Sequence, residues 1–486
     1  MSQDLSSNTD MFSDSTASNG TTSNRTAETL PTIAERVDAL RDTFEGGRTR
    51  TQAWRERQLD GLLKILSDSS TELVEALGRD MGKPPVEAIV TDIAFTKNDV
   101  KHIRKHVGDW MQPRKAKLRL QDRPGKGRIV PEPLGVSLII APWNYPVQLT
   151  LSPLAAALAA GNTVALKPSE MVPETSALLA RLLAEHLDTD ALDVFEGGPE
   201  VSTALLEQRF DHIFFTGSTS IGRVVAAAAA KNLTPTILEL GGKSPAVVAG
   251  DVDLDITAKR LAWGKGLNAG QTCIAPDYVL VERRHQDALV DRLTAAFAEF
   301  YGSKPATNDD LASIVNERHT ERLQRLLVNH GGTVACGGSL NTTTRKLEPT
   351  VIVDPDPQSA LMQEEIFGPI LPIIAVDDVD EAIAFINSRP KPLALYVFSN
   401  STDVTQHVVD TTSSGGVCVN HVMFHIGPPD LPFGGVGDAG NGRYHGKAGF
   451  DALSNLKPVY VRPVWPDLSL IYPPYTKFKT KLLSKM

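Results

Sequence analysis

Val136-Ser137-Leu138-Ile139-Ile140, followed at once by Ala141-Pro142-Trp143-Asn144-Tyr145-Pro146, decides how this chain is read. A strand with one wet face alternates apolar and polar residues, whereas one covered on both faces is a near-continuous apolar run. Val136 to Ile140 is of the second kind. A helix-like run follows to Ala160 and stops at Gly161. The alternation then repeats: strands at Thr163–Leu166, Asp193–Phe195, His212–Phe215, Thr236–Leu240 and Ala246–Val248, with helices at Thr175–Leu187, Val201–Gln208 and Ile221–Lys231 between the earlier ones. Apolar strands alternating with helices predict an α/β fold, a parallel sheet with helices on both faces. Ligands of such a sheet bind beyond the carboxyl ends of its strands.

Downstream, strands at Tyr278–Val281, Thr333–Ala335, Thr350–Val353 and Ile370–Ala375 and helices at Gln286–Phe300, Glu317–Asn329 and Val379–Asn387 predict a second α/β domain. Upstream, Ile33, Val37, Leu40 and Phe44 share a helical face, as do Leu59, Leu62, Leu63 and Leu66, then Leu73, Val74 and Leu77; Ile89 to Val107 reads as one longer helix. This N-terminal part reads as a helical layer without chemistry of its own. Residues 113–133 alternate charged and smaller residues around Pro124-Gly125 and read as a half-exposed hairpin of the kind that serves association.

The 486 residues, 41% hydrophobic and 22% charged, suit a globular protein of two or three domains. A net charge of -9 argues against nucleic acid as a main partner. Cys273, Cys336 and Cys418 are too few, and odd in number, for a disulfide framework, which fits a reducing, cytoplasmic setting. Residues 1–28, rich in Ser, Thr, Asn and Asp, read as a disordered tail. The 463–486 tail places Lys477, Lys479, Lys481 and Lys485 among Phe478, Leu482 and Leu483; it reads as a solvated basic terminus in preference to a peripheral membrane contact.

Chemistry-bearing residues gather at predicted strand ends and turns. Asn144 is either a preorganised amide donor or the cap of the next helix. Lys167-Pro168-Ser169-Glu170 ends the second strand, where an acid can accept from ribose hydroxyls. Phe215-Thr216-Gly217-Ser218-Thr219-Ser220 is a strand, a small-residue turn and a helix start, which is either a pyrophosphate cradle or a plain capped turn. Glu239 closes an apolar strand before Leu240-Gly241-Gly242-Lys243, where burial would make it a base usable near neutral pH. Gly270-Gln271-Thr272-Cys273 carries a cysteine that alone would pass for a packing residue. Glu364-Glu365-Ile366-Phe367-Gly368-Pro369 and the glycine-rich Leu431–Gly437, with Tyr444-His445 beyond it, complete the set. No metal-ligand set stands out.

Together and in this order, these motifs resemble the NAD(P)-dependent aldehyde dehydrogenase superfamily over roughly residues 32–462, and Pro142-Trp143-Asn144-Tyr145-Pro146 and Tyr444-His445-Gly446 resemble its class 3 branch of fatty and aromatic aldehyde dehydrogenases. The resemblance implies a Rossmann-type cofactor domain (29–112 and 134–240), a catalytic α/β domain (241–420) and a small β bridging segment (113–133 and 421–462) that joins a homodimer. It implies that Cys273 is the nucleophile, Glu239 the general base, and Asn144 with the Cys273 N–H the oxyanion hole. Trp143, Lys167, Glu170, Gly217, Ser218, Glu365 and Phe367 would line the site for NAD, with NADP as an alternative, and Tyr145, Tyr444 and His445 would border the path of an aldehyde. Two other readings compete: a cysteine hydrolase using Cys273 with His421 and Asn420 or His445, and a binding protein that has lost catalysis.

Overall fold

The central strand, Val136–Ile140, is buried along its whole length and has a parallel neighbour on each side. In the computed structural model, which describes residues 31–465, 467 and 469–484, it sits in a six-stranded sheet. The order is Gly440–Asn441, Thr236–Glu239, His212–Thr216, Val136–Ile140, Thr163–Lys167, Leu192–Val194. All neighbours are parallel except Gly440–Asn441, which runs antiparallel against Thr236–Glu239. The chain leaves Val136–Ile140 toward Leu192–Val194, then returns to the other side at His212–Thr216. Connections therefore diverge at the carboxyl ends of these two strands and leave a crevice there. The 1–28 tail lies outside the described residues.

A second sheet of seven strands follows in the order Thr333–Cys336, Thr350–Val353, Ile370–Val376, Tyr278–Glu282, Pro245–Val248, Ala394–Phe398, Gly416–Val419. It is parallel apart from the Thr333–Cys336 edge. The chain passes from the first sheet to the second between Glu239 and Pro245. The expected hairpin is present: Arg114–Ala116 pairs antiparallel with Lys126–Pro133, and Ser454–Val461 extends it to three strands. The rest of 421–462 divides differently, because Gly440–Asn441 joins the first sheet and helix Gly446–Ala452 packs on helix Gln148–Ala160.

Gln148–Ala160 is buried on every side, as an all-round apolar helix must be. It packs against Gln52–Asp68 and Phe95–Trp110 of the helical layer. The single long helix expected from Ile89 to Val107 is interrupted. A short turn at Pro85–Glu87 leads into a π-helical stretch, Ala88–Ala94, before regular helix resumes at Phe95–Trp110. Such widened turns concentrate at functional sites. Among the described residues no helix is long and apolar enough to cross a membrane; the tail includes a 3-10 turn, Ser469–Ile471, and a short helix, Lys477–Leu483, with Phe478 and Leu482 exposed.

Candidate active site

A cavity of about 510 Å³ opens at the carboxyl ends of the first sheet and is closed from the other side by the second domain's loops. Its lining includes Asn144, Glu239 and Cys273, together with Trp143, Gly217, Ser218, Glu365 and Phe367. Residues scattered over more than two hundred positions thus converge because three strand ends, two loops and helix Glu317–Leu326 meet there.

Asn144 follows the central strand in the Pro142–Pro146 loop. It does not cap the next helix: Val147 is the N-cap and supplies no side-chain bond. Its Nδ2 donates instead to the Gln271 carbonyl at 3.1 Å. An amide nitrogen carries two hydrogens, so this bond uses one and leaves a second available in a residue that lines the cavity. Tyr145, next in the loop, is buried and its hydroxyl lies 2.6 Å from Thr272 Oγ1.

Glu239 ends the strand Thr236–Glu239 and is only 3% exposed. Neither carboxylate oxygen has a hydrogen-bond partner among the described residues. Burial pushes its pKa well above the usual carboxylate range, against the pull of the Arg443 guanidinium. The strand is closed on its outer side by the glycine-rich loop, since Gly440 pairs with Glu239 and the Leu240 N–H donates to the Ala439 carbonyl.

Cys273 lies on an irregular segment that needs unusual backbone. Asn268 and Ala269 have left-handed dihedrals. Gly270 has φ +69°, and a Cβ there would sit 2.3 Å from the Gly368 carbonyl oxygen. Gln271 ties the segment down, donating to the Asn268 and Ser313 carbonyls and accepting from the Val315 N–H. Burial, reinforced by the carboxylates of Glu365 and Glu239, pushes the Cys273 thiol up. Surface accessibility makes Cys273 partly exposed, which fits a sulfur on a cavity wall; its acidity is governed by the density of protein around it. Gly270→Ala is expected to destabilise the protein by about 1–2 kcal/mol from the left-handed dihedral alone and to displace Cys273 through the carbonyl clash. A thermal melt and a turnover assay check this, and unchanged values in both would refute the close approach.

The cofactor-type residues divide. Gly217 and Ser218 lead into helix Thr219–Lys231, whose Ser218 hydroxyl caps the Ile221 N–H. The small-residue turn is therefore a capped turn and a cavity wall at once, since Thr219 and Ser220 also line the space. Trp143 stands edge-on to Phe367 with ring centroids 5.3 Å apart. Glu365 is half-buried, and its inaccessible Oε1 has no partner among the described residues. Burial and then Asp277 raise it to about 8. A dinucleotide fits this wall: a helix N-terminus for phosphates, an orphaned carboxylate oxygen for a ribose hydroxyl, and flat rings beside it. Lys167 and Glu170 lie outside the lining, at the end of the neighbouring strand, joined to each other at 2.8 Å.

Tyr444 and His445 are buried beside the cavity and do not line it. Their rings are 4.2 Å apart; Phe214 and Phe433 flank Tyr444, and Phe95 and Phe433 flank His445. The Tyr444 hydroxyl, which has no hydrogen-bond partner among the described residues, is raised first by burial and then by Glu239 and Cys273. The hydrolase arrangement is not assembled. His421 packs on Phe424 and Trp263, Asn420 bonds the Ser399 backbone, and neither lines the cavity with Cys273.

Sequence reading passed over several residues here. Arg322 and His319 line the cavity from helix Glu317–Leu326, and Arg322 donates to the carbonyls of Glu365 and Ile366 at 3.1 and 2.6 Å. The helical layer also contributes, against expectation: Lys83, Glu87 and Asp92 reach the loops of Asn144 and Cys273. Nothing in their local sequence marks them, because each reads as an ordinary charge near a helix end.

The profile of the aldehyde dehydrogenase family matches residues 6–459. Aldehyde dehydrogenase family 3 member H1 of Arabidopsis thaliana is 44% identical over 93% of this chain and 94% of its own. Among solved structures, the substrate-bound state of Staphylococcus aureus AldH superposes with a TM-score of 0.91 at 40% identity, covering 94% and 99% of the two chains. Pseudomonas syringae AldA, an indole-3-acetaldehyde dehydrogenase solved as a mutant with NAD+ and IAA, gives 0.82 at 28% identity over 88% of each.

Proposed function

This chain belongs to the aldehyde dehydrogenase family and is an NAD(P)-dependent aldehyde dehydrogenase, and from that premise we propose that Cys273, Glu239 and Asn144 carry its chemistry. The supporting observation is that these three side chains line one cavity with Gly217, Ser218 and Glu365. The Cys273 thiol passes its proton toward Glu239, and the thiolate attacks the aldehyde carbon. The oxyanion that develops is met by the free N–H of the Asn144 amide and by the Cys273 backbone N–H. NAD, when bound, supplies the acceptor for the hydride released as the adduct collapses. A thioester is left on Cys273, and Glu239 takes the proton from the water that hydrolyses it to the carboxylic acid. Trp143, Gly217, Ser218, Glu365 and Phe367 would hold the cofactor, and Lys167 and Glu170 would meet it from the end of the next strand. An acid at the ribose repels a 2′-phosphate, so Glu170 favours NAD over NADP.

The substrate is a medium- or long-chain aliphatic or an aromatic aldehyde, bordered by Tyr145, Tyr444 and His445; the ring cluster of Phe95, Phe433, Tyr444 and His445 supports an apolar chain. The protein is a cytoplasmic homodimer joined through the three-stranded sheet, which leaves Leu456, Tyr460 and Val461 exposed. Rates of NADH and NADPH formation across aldehydes of graded length and aromaticity test the assignment; a preference for short polar aldehydes with NADP would overturn it. Asn144→Ala is expected to lower kcat by about 10²–10³, the scale of one oxyanion donor, with NAD affinity unchanged. A loss smaller than tenfold would remove Asn144 from the oxyanion hole.

A further inference from the structure

Beneath the Asn144 loop lies a charge pair wholly out of solvent. The side chains of Lys83 and Asp92 are both 0% exposed, and Lys83 Nζ is 2.8 Å from Asp92 Oδ2. Burying two charges is costly unless geometry and extra hydrogen bonds recover the loss, and pairs of this kind are often replaceable by apolar residues without harm. A buried pair is thus weak evidence for stability. What matters is what else the two groups hold.

Apart from the Thr91 hydroxyl, which donates to Asp92 Oδ2 at 3.4 Å, the further side-chain contacts lead to the Asn144 loop and the start of the helix behind it. Lys83 Nζ donates to the backbone carbonyl of Asn144 at 3.0 Å and stands 4.2 Å from the centre of the Tyr145 ring. Asp92 Oδ1 accepts from the Val147 and Gln148 N–H groups at 3.2 and 3.3 Å. Helix Gln148–Ala160 has no cap of its own, so Asp92 caps it from another element. The π-helical stretch Ala88–Ala94 carries that carboxylate. The Asn144–Pro146 loop is consequently held on both sides, its first carbonyl by an ammonium and the Val147 and Gln148 amides that follow it by a carboxylate, and the two grips are joined by one ion pair. On the far side, Asn268 Nδ2 donates to the same Asn144 carbonyl at 2.9 Å, while the Asn268 N–H donates to Glu87 Oε2 at 2.8 Å. The helical layer therefore sets the Asn144 loop and the Cys273 segment against each other.

We infer that Lys83 and Asp92 are positioning residues for the oxyanion donor, acting through the Asn144 peptide. The inference rests on the reading of Asn144 as that donor. A carbonyl pinned by two donors fixes the plane of the Asn144 peptide and with it the direction of the side-chain amide. Misplacing a reacting or stabilising group by about 1 Å can cost 10²-fold in rate.

The test is a mutant cycle in the full-length enzyme with NAD and whichever of octanal and benzaldehyde it oxidises faster. Lys83→Met with Asp92→Asn removes both charges and keeps an acceptor for the helix cap. We expect a cooperative melt, NAD affinity within about twofold and a kcat lower by about 10–100-fold, with KM little changed. Combined with Asn144→Ala, the pair variant should lose at most about tenfold more, whereas Asn144→Ala alone loses about 10²–10³. Should the pair variant not fold, the same cycle is run with Asp92→Asn alone, which leaves the ammonium without its anchor. A folded variant with full kcat overturns the inference, and so do losses that multiply with Asn144→Ala. If Asn144→Ala alone has no effect, the oxyanion reading itself has failed, which is a different outcome from an effective Asn144 with an independent pair.

Discussion

Cys273→Ala is expected to abolish aldehyde oxidation and ester hydrolysis together, by about 10⁴–10⁶, the scale on which covalent nucleophiles are lost, while NAD still binds. In the proposed mechanism both reactions pass through an acyl group on the same sulfur, so one substitution should remove both. Neither of the other cysteines can substitute: Cys336 lies in an edge strand of the second sheet, Cys418 is buried in the strand at its opposite edge, and neither lines the cavity. NADH formation, p-nitrophenyl acetate hydrolysis and an NAD titration by protein fluorescence together check the outcome. Retained turnover in either assay would place the nucleophile elsewhere, and lost NAD binding would mean that the segment after Gly270 had collapsed.

Glu239→Gln is expected to lower steady-state kcat by about 10²–10⁴, the contribution of a positioned general base, and to do so mainly in thioester hydrolysis. Rapid mixing should show a full-size NADH burst followed by a slow steady state; a normal steady state would count against the base role. The pH profile carries the same information. Burial holds both the Glu239 carboxyl and the Cys273 thiol above their usual values. The pair must shed one proton before attack, and the two groups titrate as a unit. Activity should therefore rise as pH rises and fall as Glu239 takes up its proton on acidification. In Glu239→Gln the limb that belongs to the carboxylate disappears from the deacylation rate.

How much of this was legible depends on what each residue's neighbours in the chain disclose. Val136–Ile140 and Tyr278–Glu282 are covered on both faces, so their apolar runs betray them. Helix Leu254–Gly266 does not, because its apolar residues keep to no single face and one of them, Ile256, is exposed; Ala394–Phe398 and Gly416–Val419 are short strands whose apolar runs carry no distinct signal. Glu239 was visible as an acid ending an apolar strand. Lys83 and Asp92 were not, since one lies in the link after helix Ser70–Met81 and the other in the Ala88–Ala94 stretch, so they share no period that would mark them as a buried pair. Arg322 sits on a strongly amphipathic helix whose charges all look solvated, yet it clamps the Glu365–Phe367 backbone.

The return of Gly440–Asn441 to the edge beside Glu239 has a consequence for biogenesis. Chains emerge from the ribosome amino end first, and domains fold as units in that order. The five parallel strands of the first sheet are complete once Glu239 has been made, but the edge that shelters its carboxylate is supplied only by a segment near the carboxyl terminus. Contacts of such long sequence separation form slowly because the intervening chain must be closed into a loop. The parallel strands of the first sheet can thus assemble before the Gly440–Asn441 edge is added beside Glu239.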